Sequence, residues 1–521
     1  MTDGAMQRYT LTLNKFLDHA AKWHPHAGVS GALDDGGVEQ TGYLVLRRRA
    51  RRISALLAGL GIGVGDRVAT LAWNSRAHLE AWYGIMGMGA VCHTLNPRLT
   101  DSQSAAMARQ SGARVLIVSA DLAPLGQRIA ALAPALTELF VIDGDGEPPA
   151  LESALEDLDD TAVSWGDFDE HSASGLCFTS GTTGDPKGVL YDHRSIYLQT
   201  LRLLQADVLG LGFGDRVLAA VPMFHANAWG LPFAAPAAGA DLVFPGRHLD
   251  GASLARLIAT ENVTLAAGVP TVWLGLLEHL EAQGGELPSL KRILVGGAPM
   301  SATLMARLEQ RLGVSVQTSW GMTELSPLGT ITPAAEPRRD AASAGRVAVG
   351  MDLLLTDEQG TPLPEQRNVE GHLRVRGAAV VERYLGQRHG ALDERGWFAT
   401  GDLARIDEQG RLTITGRAKD LIKSGGEWIN PAELEAIAGA LPAVAQAAVI
   451  GRRDGRWGER PVLVIETKPA QTIEDREILD AMRDRVASWW LPDAVVRVDR
   501  MPLAGTGKID KKRLRAEFGQ A

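Results

Sequence analysis

Cysteine is scarce in this sequence: Cys92 and Cys177 are the two that occur among 521 residues, and both lie in apolar surroundings. Such a pair argues against a disulfide framework and against a cysteine-based metal cluster. A basic excess is missing as well, because the formal net charge is −9, which argues against a general nucleic-acid partner. No apolar run is long enough for a membrane span, and residues 1–22 lack the pattern of a signal peptide. We therefore expect a soluble protein of a reducing compartment, the cytoplasm.

The composition that remains is typical of a globular enzyme, with 45% hydrophobic and 22% charged residues. A chain of this length is too long for one hydrophobic core, so two or more domains are expected. Apolar strands alternate with amphipathic helices as far as residue 332, which indicates an α/β fold. The phrase at 61–68 returns at 210–217, each time before an apolar strand, and this repetition indicates two related α/β subdomains. Beyond residue 333 short β segments follow, and a polar stretch at 416–420 precedes a compact, charged final region with predicted helices near residues 431–440 and 473–490.

A run of glycine, hydroxyl and lysine residues at 178–188 lies between two apolar segments that are predicted strands. Glycines permit close backbone approach, and hydroxyls, backbone N–H groups and one lysine can together hold a polyanion. The run departs from a Walker loop, since Pro186 stands where the second glycine belongs, and it lacks the glycine spacing of a dinucleotide fingerprint. We predict a phosphate loop made of Thr179, Ser180, Gly181, Thr182, Thr183, Gly184 and Lys187.

This run resembles the phosphate loop of the AMP-forming adenylating enzymes: acyl-CoA synthetases, peptide-synthetase adenylation domains and firefly-type luciferases. Further motifs of that family follow in the family's order, over about the whole chain. They are Pro-Met-Phe-His at 222–225, Gln-Thr-Ser-Trp-Gly-Met-Thr-Glu at 317–324, Gly-Trp-Phe-Ala-Thr-Gly-Asp at 396–402, Gly-Arg at 416–417 with Ile-Lys-Ser-Gly-Gly-Glu at 422–427, and Gly-Thr-Gly-Lys-Ile at 505–509. The chain looks like an acyl-CoA synthetase, and its stretch 425–429 resembles ligases for medium-chain, methylthioalkanoic or arylalkanoic acids.

The resemblance implies a large N-terminal domain at 1–416, with two α/β subdomains and a small β-barrel-like subdomain, that binds ATP and the acid. It implies a hinge at 417–420, centred on Lys419, and a small mobile α+β domain at 421–521. It also implies two steps: a carboxylate attacks the α-phosphate of ATP, giving acyl-adenylate and pyrophosphate, and coenzyme A then displaces AMP. Because an anion attacks a polyanion, the first step needs charge neutralisation and positioning more than it needs a base.

Catalytic and metal-binding roles follow from the same resemblance. Lys508 would neutralise the carboxylate and the α-phosphate, while Glu324 and Thr182 would bind Mg²⁺, a cation that prefers oxygen ligands. His225 completes the catalytic set as a gate between the carboxylate and the thiol channel. Without the resemblance, a histidine in this position is more simply a packed core residue.

Nucleotide and CoA contacts are implied in the same way. Trp320 stands where tyrosine is more usual and would stack on adenine, Thr323 would bond the α-phosphate, and Asp402 would bond the ribose hydroxyls. The glycines at 425–426 would border the pantetheine tunnel. The complete implied set is Thr179, Ser180, Gly181, Thr182, Thr183, Gly184, Lys187, Gly297, Ala298, Pro299, Gln317, Ser319, Trp320, Gly321, Met322, Thr323, Asp402, Arg417, Lys419, Lys423, Gly425, Gly426 and Lys508.

The acid pocket is expected where glycine-rich segments follow buried strands, because ligands bind at the carboxyl ends of strands in open parallel sheets. Its predicted walls are His225, Trp229, Gly268, Val269, Gly296, Gly297, Trp320, Gly321, Met322 and Leu325. Trp229 would lie one helical turn past His225 and shorten the tunnel. Since these walls contain no arginine or lysine, a second carboxylate on the substrate is disfavoured. We expect a small-to-medium monocarboxylic acid, aliphatic or aryl-substituted.

Three other functions remain open at this level. A stand-alone adenylation enzyme would load the thiol of a carrier protein, and the segment 226–229 lacks the aspartate typical of amino-acid activators in this family. A luciferase-like oxygenase would start from the same adenylate. A catalytically silent binding protein is disfavoured by intact Lys187, Glu324 and Lys508. The family also suggests a homodimer.

Overall fold

The computed structural model describes residues 4–144, 148–179, 186–337, 339–425, 427–483, 485–504 and 508–520. Within these ranges helices and strands alternate as the sequence predicts, so the α/β class is confirmed. The helices are α1 Asn14–Trp23, α2 Tyr43–Gly59, α3 Arg76–Gly87, α4 Asp101–Ser111, α5 Ala123–Leu132, α6 Leu151–Leu155, α7 His193–Leu204, α8 Leu231–Ala238, α9 Gly251–Thr260, α10 Pro270–Gln283, α11 Ala302–Leu312, α12 Pro431–Gly439, α13 Asp475–Arg483 and α14 Lys511–Phe518. None of these helices is both long and apolar enough to cross a membrane, as far as the described residues show.

The strands belong to three sheets. In chain order they are β1 Gly28–Ala32, β2 Val38–Gly42, β3 Arg67–Leu71, β4 Val91–Thr94, β5 Val115–Ser119, β6 Glu138–Ile142, β7 Ala173–Thr179, β8 Lys187–Asp192, β9 Arg216–Ala219, β10 Asp241–Phe244, β11 Leu265–Gly268, β12 Arg292–Val295, β13 Ser315–Gly321, β14 Leu328–Ile331, β15 Ser343–Val347, β16 Met351–Thr356, β17 Glu370–Gly377, β18 Phe398–Ile406, β19 Arg411–Arg417, β20 Ile422–Ser424, β21 Glu427–Ile429, β22 Val444–Asp454, β23 Gly458–Thr467 and β24 Ala494–Arg497.

The first sheet has the strand order β6-β5-β3-β4-β7-β8 and is parallel except for its last pair. Strands β7 and β8, which flank the predicted phosphate loop, pair antiparallel with Thr179 opposite Lys187. The second sheet has a parallel part, β1-β10-β9-β11-β12-β13, and continues as the antiparallel strands β14 to β19. Both sheets therefore present carboxyl strand ends on which a ligand site can be built.

The two repeated turns have the same hydrogen bond between an aspartate and the backbone. Asp66 Oδ2 accepts from the N–H of Gly63 at 2.9 Å, and Asp215 Oδ2 accepts from the N–H of Gly212 at 3.0 Å. Each turn leads directly into an interior strand of its sheet, β3 or β9. An aspartate that bonds a backbone N–H within its own turn favours such a turn locally. In both sheets the chain therefore enters a strand through the same kind of turn.

One hydrophobic cluster joins the faces of both sheets through helices α1, α2, α3 and α8. Trp82 and Tyr83 on α3 pack against Phe233 on α8, with ring centroids 5.8 and 5.9 Å apart. Burial of such large side chains stabilises the fold by about 1.5–3 kcal/mol each. The sheets are held together by this core, so their strand ends keep a fixed relation to each other.

The third sheet, β21-β20-β23-β22 with β24 beside β23, lies in the region predicted as the C-terminal domain. Its cluster of buried side chains is separate from the clusters of the N-terminal region. The long helix expected at 473–490 is shorter than predicted, because α13 ends at Arg483. Arg460 instead binds the carbonyl oxygen of Trp489, in the 3₁₀ turn Ser488–Trp490, at 2.7 Å and that of Leu491 at 3.2 Å. The domain boundary at 417–420 stays a prediction.

Candidate active site

The predicted pocket walls lie at the carboxyl ends of neighbouring parallel strands. Gly268 ends β11, Gly296 follows β12, and Trp320 and Gly321 end β13. Because β9, β11, β12 and β13 are adjacent in the sheet, these ends form one continuous edge. Gly268 is buried against Trp273, since a Cβ there would lie 2.8 Å from Cζ2 of that indole. The edge combines tight backbone packing with short or absent side chains.

The segment after His225 adopts a left-handed turn rather than the ordinary helical turn that the sequence predicts. Ala226, Asn227, Ala228 and Trp229 all have positive φ, between 46° and 58°. Each such residue costs about 1–2 kcal/mol in L-amino acids, so neighbouring contacts must hold the turn in place. The turn is buried apart from Trp229, and the Oδ1 atom of Asn227 lies 3.6 Å from Sγ of the buried residue Cys177.

This turn directs the Trp229 indole against the glycines of the β12 strand end. A Cβ on Gly296 would lie 3.1 Å from Cη2 of Trp229, and a Cβ on Gly297 would lie 3.7 Å from its Cζ2. The same Gly297 position would come within 3.3 Å of Cγ1 of Val269. A side chain at Gly296 would crowd the indole and the Ser319 hydroxyl, whereas Gly297 has a φ of 77°, which favours glycine. Trp229, Val269 and the glycine pair therefore share one apolar corner.

His225 lies at the start of the turn and is half-buried. Burial first, and then the positive charges of Lys508 and Arg98, lower its pKa to about 4. The imidazole is therefore neutral near pH 7. Because the His225 ring is neutral, the positive charges of Lys508 and Arg98 stay available for an anionic ligand.

Glu324 is a buried carboxylate whose Oε1 atom accepts a hydrogen bond from the Tyr384 hydroxyl at 2.9 Å. Tyr384 also lies under Lys187, with the ammonium 5.0 Å from the ring centroid. Burial and the charge of Glu324 raise the pKa of Tyr384, so its hydroxyl stays a donor. The N–H of Val381 donates to the Glu324 carbonyl at 2.8 Å. Segment 381–384 thus joins Glu324 to the strand that follows the phosphate loop.

A magnesium ion fits this carboxylate. Within the described residues Glu324 forms no ion pair, although a buried carboxylate needs a compensating charge. No group of three or more histidine, cysteine or acidic side chains that could hold a metal occurs in the part of the chain that is described. Phosphate oxygens would therefore supply most of the remaining ligands, as is usual for Mg²⁺ in nucleotide sites.

Trp320 and Asp402 are joined by a buried hydrogen bond. The indole Nε1–H of Trp320 donates to Oδ2 of Asp402 at 2.8 Å. The other carboxylate oxygen, Oδ1, lies 2.8 Å from Nε of Arg417, whose side chain is 39% exposed. Arg417 is the outermost of the three and covers a carboxylate that is otherwise out of contact with solvent.

Lys508 directly precedes Ile509, which forms an isolated β-bridge with Leu503, and the Lys508 carbonyl accepts from the N–H of Ala504 at 2.7 Å. The residue is exposed. Desolvation lowers its pKa, Arg417 lowers it further, and the negative charges of Asp402 and Glu324 oppose this effect. The structure thus brings Lys508 into electrostatic range of both carboxylates from across the predicted hinge.

The predicted hinge has an anchored residue at each end. Arg417 contacts Asp402 of β18, whereas Asp420 contacts Nη2 of Arg515 on α14 at 2.6 Å. Between them a 3₁₀ turn, Ala418–Asp420, contains Lys419. Desolvation lowers the pKa of Lys419. Few residues lie between these two anchors, so few are free to change conformation.

Other predicted residues are placed as follows. Gln317 is buried, and its amide donates to the carbonyl oxygens of Val208 and Thr332, at 3.3 and 3.0 Å, a structural arrangement. Ser319 donates to the Val295 carbonyl at 3.0 Å, beside Gly296. Thr179, Ala298, Pro299, Met322, Thr323 and Lys423 are partly or fully exposed, Leu325 is buried, and Gly425 has a φ of 60°. Ser180, Gly181, Thr182, Thr183, Gly184 and Gly426 lie outside the described residues.

Sequence reasoning missed a groove beside the catalytic edge. It is a shallow groove lined by Trp73, Arg98, Phe224 and Arg247 among other residues. Arg98 follows β4, and its guanidinium lies 5.9 Å from the Phe224 ring centroid. Within the described residues Arg98 forms no ion pair, whereas Arg247 pairs with Asp34 and Asp121. The sequence contained a signal for this groove, because Arg98 lies in a polar segment after a buried strand, which is a typical ligand position.

Comparison with known proteins identifies the family. Residues 17–385 match the model of the AMP-binding enzymes, and residues 433–508 match the AMP-binding enzyme C-terminal domain. The chain is 42% identical over 537 residues to the 3-methylmercaptopropionyl-CoA ligase of Ruegeria lacuscaerulensis, covering 99% of each. It is 41% identical over 534 residues to the medium-chain-fatty-acid–CoA ligase of Ectopseudomonas oleovorans, covering 99% of this chain and 97% of the relative.

A solved structure agrees in fold and in chemistry. An anthranilate CoA ligase in complex with anthranoyl-AMP superposes with a TM-score of 0.89 at 25% identity, over 99% of each chain. The present protein acts with ATP, Mg²⁺ and coenzyme A. The chain belongs to the family of AMP-binding enzymes, as an AMP-forming acid–CoA ligase.

Proposed function

We propose that the acid is an apolar monocarboxylic acid of small to medium length, aliphatic or aryl-substituted. The observation that carries this proposal is the contact of Trp229 with Gly296 and Gly297, which closes an apolar corner at the strand ends. The predicted walls contain no arginine or lysine that could pair with a second carboxylate. The indole fills volume that a long acyl chain would need.

The names of the relatives support the same class. One is a ligase for 3-methylmercaptopropionate and another a ligase for medium-chain fatty acids. Both names describe acids with one carboxylate and an apolar remainder. We therefore place the substrate of this enzyme in that class.

In the first step, Lys508 would neutralise charge between the acid and the α-phosphate of ATP. The electrostatic interaction of Lys508 with Asp402 and Glu324 supports this role, because both acids border the proposed nucleotide site. Lys187 and the loop before it would hold the outer phosphates. Bound Mg²⁺, held by Glu324 and Thr182, would add neutralising charge on the phosphates. Asp402 would bind the ribose hydroxyls once they take the place of Arg417.

In the second step, the C-terminal domain would turn about Lys419, which removes Lys508 and brings Gly425 and Gly426 to the thiol channel. The anchoring of Arg417 and Asp420 on opposite sides supports a pivot between them. His225 would separate the acid from this channel. Arg98 in the neighbouring groove would bind a phosphate of CoA, because it is an exposed cation that forms no ion pair within the described residues and lies over the Phe224 ring.

The decisive experiment is pyrophosphate release from Mg-ATP, with and without CoA, across a panel of carboxylic acids. We expect turnover that depends on CoA, with propionate derivatives, medium-chain acids or arylalkanoic acids favoured over long-chain and dicarboxylic acids. A preference for dicarboxylates would contradict the pocket. A single stoichiometric burst that CoA cannot relieve would instead support a carrier-protein thiol. Luciferase-like chemistry would show as light emission from the adenylate in oxygen.

We also propose a cytoplasmic homodimer, as the family suggests. Light scattering coupled to size-exclusion chromatography would measure a mass of twice 55.6 kDa for the dimer. A monomeric mass at all concentrations would remove this part of the proposal.

A further inference from the structure

The Trp320–Asp402 hydrogen bond connects two motifs that are 82 residues apart in sequence. Both partners are nearly buried, with Trp320 9% and Asp402 1% exposed. A hydrogen bond to a charged acceptor in such surroundings is stronger than one at the surface. The bond therefore constrains the carboxylate as well as the indole.

The indole cannot easily turn away from Asp402. A Cβ on Gly329 would lie 2.5 Å from Cζ3 and 2.6 Å from Cε3 of Trp320, so the ring lies directly on that glycine. Trp320 also sits where the register between β13 and β14 shifts. Packing of this kind keeps the Nε1–H pointing at one oxygen of the carboxylate.

The other oxygen of Asp402 is held less firmly. Oδ1 lies 2.8 Å from Nε of Arg417 but has no hydrogen bond of good geometry within the described residues. Arg417 is partly exposed and lies at the end of the predicted hinge. One carboxylate oxygen thus has a fixed buried partner, and the other has a partner that can leave.

We infer that Trp320 is a positioning residue for nucleotide selection: its indole N–H orients Asp402 so that Oδ1 meets the ribose hydroxyls of ATP. This inference rests on the proposed role of Asp402 toward ribose. It adds a function that stacking on adenine does not require, because stacking uses the face of the ring and not its N–H group. A carboxylate with one oxygen held presents its free lone pairs in a single direction.

The test compares ATP with 2′-deoxy-ATP and 3′-deoxy-ATP as substrates for acid-dependent pyrophosphate release. Trp320→Phe removes the N–H group and keeps an aromatic face. We expect kcat/KM for ATP to fall about ten-fold or more, as for a lost hydrogen bond to a charged group. We also expect the preference for ATP over the deoxy nucleotides to shrink, because a misoriented carboxylate gains less from each hydroxyl.

Two variants provide the comparison. Asp402→Asn removes the charge and should shrink the same preference on its own, and adding it to Trp320→Phe should produce little further change. Trp82→Phe is the matched control, because its indole is buried and its N–H has no partner within the described residues. That control should leave the preference for ATP unchanged.

The outcomes distinguish the positioning role of Trp320 from the ribose-binding role of Asp402. If Asp402→Asn shrinks the preference and Trp320→Phe lowers kcat/KM equally for all three nucleotides, the positioning role is wrong while the ribose role of Asp402 stands. If neither variant alters the preference, the ribose role itself is wrong and the inference fails with it. A combined loss equal to the product of the two single losses would also contradict positioning.

Discussion

The two sides of the predicted hinge hold their functional groups in different ways. On the N-terminal side, Glu324 and Asp402 are buried, and each carboxylate accepts a hydrogen bond from a fixed aromatic neighbour, Tyr384 or Trp320. On the C-terminal side, Lys508 is an exposed residue that interacts with these acids through its charge. Asp402 lies in β18 and Glu324 lies in the short 3₁₀ turn between β13 and β14, whereas the cation comes from the C-terminal region.

This difference fits the proposed two-step reaction. Groups that bind the nucleotide in both steps gain from a rigid setting, because preorganised groups need no rearrangement when the reaction occurs. A cation needed in one step can instead be carried by a domain that moves. Burying a lone carboxylate is costly, so the N-terminal side also needs the partners that it has. The following predictions test this division, from the largest expected effect to the smallest.

Lys508→Ala should lower the rate of acyl-adenylate formation by about 10²–10³-fold or more, as expected for the loss of one preorganised electrostatic group. Thiolysis of a supplied acyl-adenylate by CoA should be nearly unchanged, because that step takes place after Lys508 has left. Pyrophosphate release and acyl-CoA formation measure the two steps. Lys512→Ala, an exposed lysine nearby, is the control. Equal losses in both steps would contradict the division of roles.

Trp229→Gly should extend the accepted acyl chain, changing the ratio of kcat/KM between long and short acids by about 10–200-fold. Glycine removes the indole from Gly296 and tolerates the positive φ at this position. Ala228→Gly, in the same left-handed turn, keeps the indole and controls for the backbone change. Rates over a series of straight-chain acids supply the measurement. An unchanged chain-length preference would exclude Trp229 from the pocket.

Tyr384→Phe should raise the Mg²⁺ concentration needed for half-maximal adenylation by about ten-fold or more, since residues that orient a metal ligand usually contribute 10–100-fold. The variant removes the hydroxyl from Glu324 and keeps the ring under Lys187. A Mg²⁺ titration of pyrophosphate release checks this. Tyr197→Phe, whose ring stacks on Phe16, should behave like the parent enzyme. The metal role of Glu324 loses its support if both variants titrate alike.

Acid should destabilise the N-terminal side more than the C-terminal side through histidine. Burial lowers the pKa of His78 and His225 to about 4, and that of His93 and His193 to about 3. The unfolded chain binds these protons near pH 6.5, so the free energy of unfolding is highest above pH 6.5 and falls as the pH drops toward 4. Residues 421–521 contain no histidine.

His93→Phe tests this effect, because His93 has no hydrogen-bond partner within the described residues and packs on Phe178. One such histidine accounts for about 1.4 kcal/mol at one pH unit below its unfolded pKa. Pulse proteolysis read by mass spectrometry would give the stability of each domain at pH 7.5 and pH 5.5. The variant should show a smaller acid loss in the N-terminal domain. An identical loss would place the acid sensitivity in carboxylates instead.

Much of the fold could be predicted because its signals are local. Strands β7 and β8 around the phosphate loop follow from two short apolar runs, and the repeated turns follow from an aspartate that bonds its own backbone. Helix α13 was predicted too long, since Arg460, which is distant in sequence, binds the carbonyl oxygens that follow the helix. The left-handed turn at 226–229 gave no local signal, because alanine and tryptophan rarely adopt positive φ.

By itself, the sequence determined the α/β class, the order of the motifs and the family, since each depends on short segments with their own periodicity and residue types. Tertiary structure alone decided which groups meet: Tyr384 with Glu324, Trp320 with Asp402, and Trp229 with the glycines of β12. These contacts join residues that are tens of positions apart, and packing between sheets sets their distances. A one-dimensional pattern carries residue chemistry, but the direction in which a buried side chain points depends on its neighbours in space.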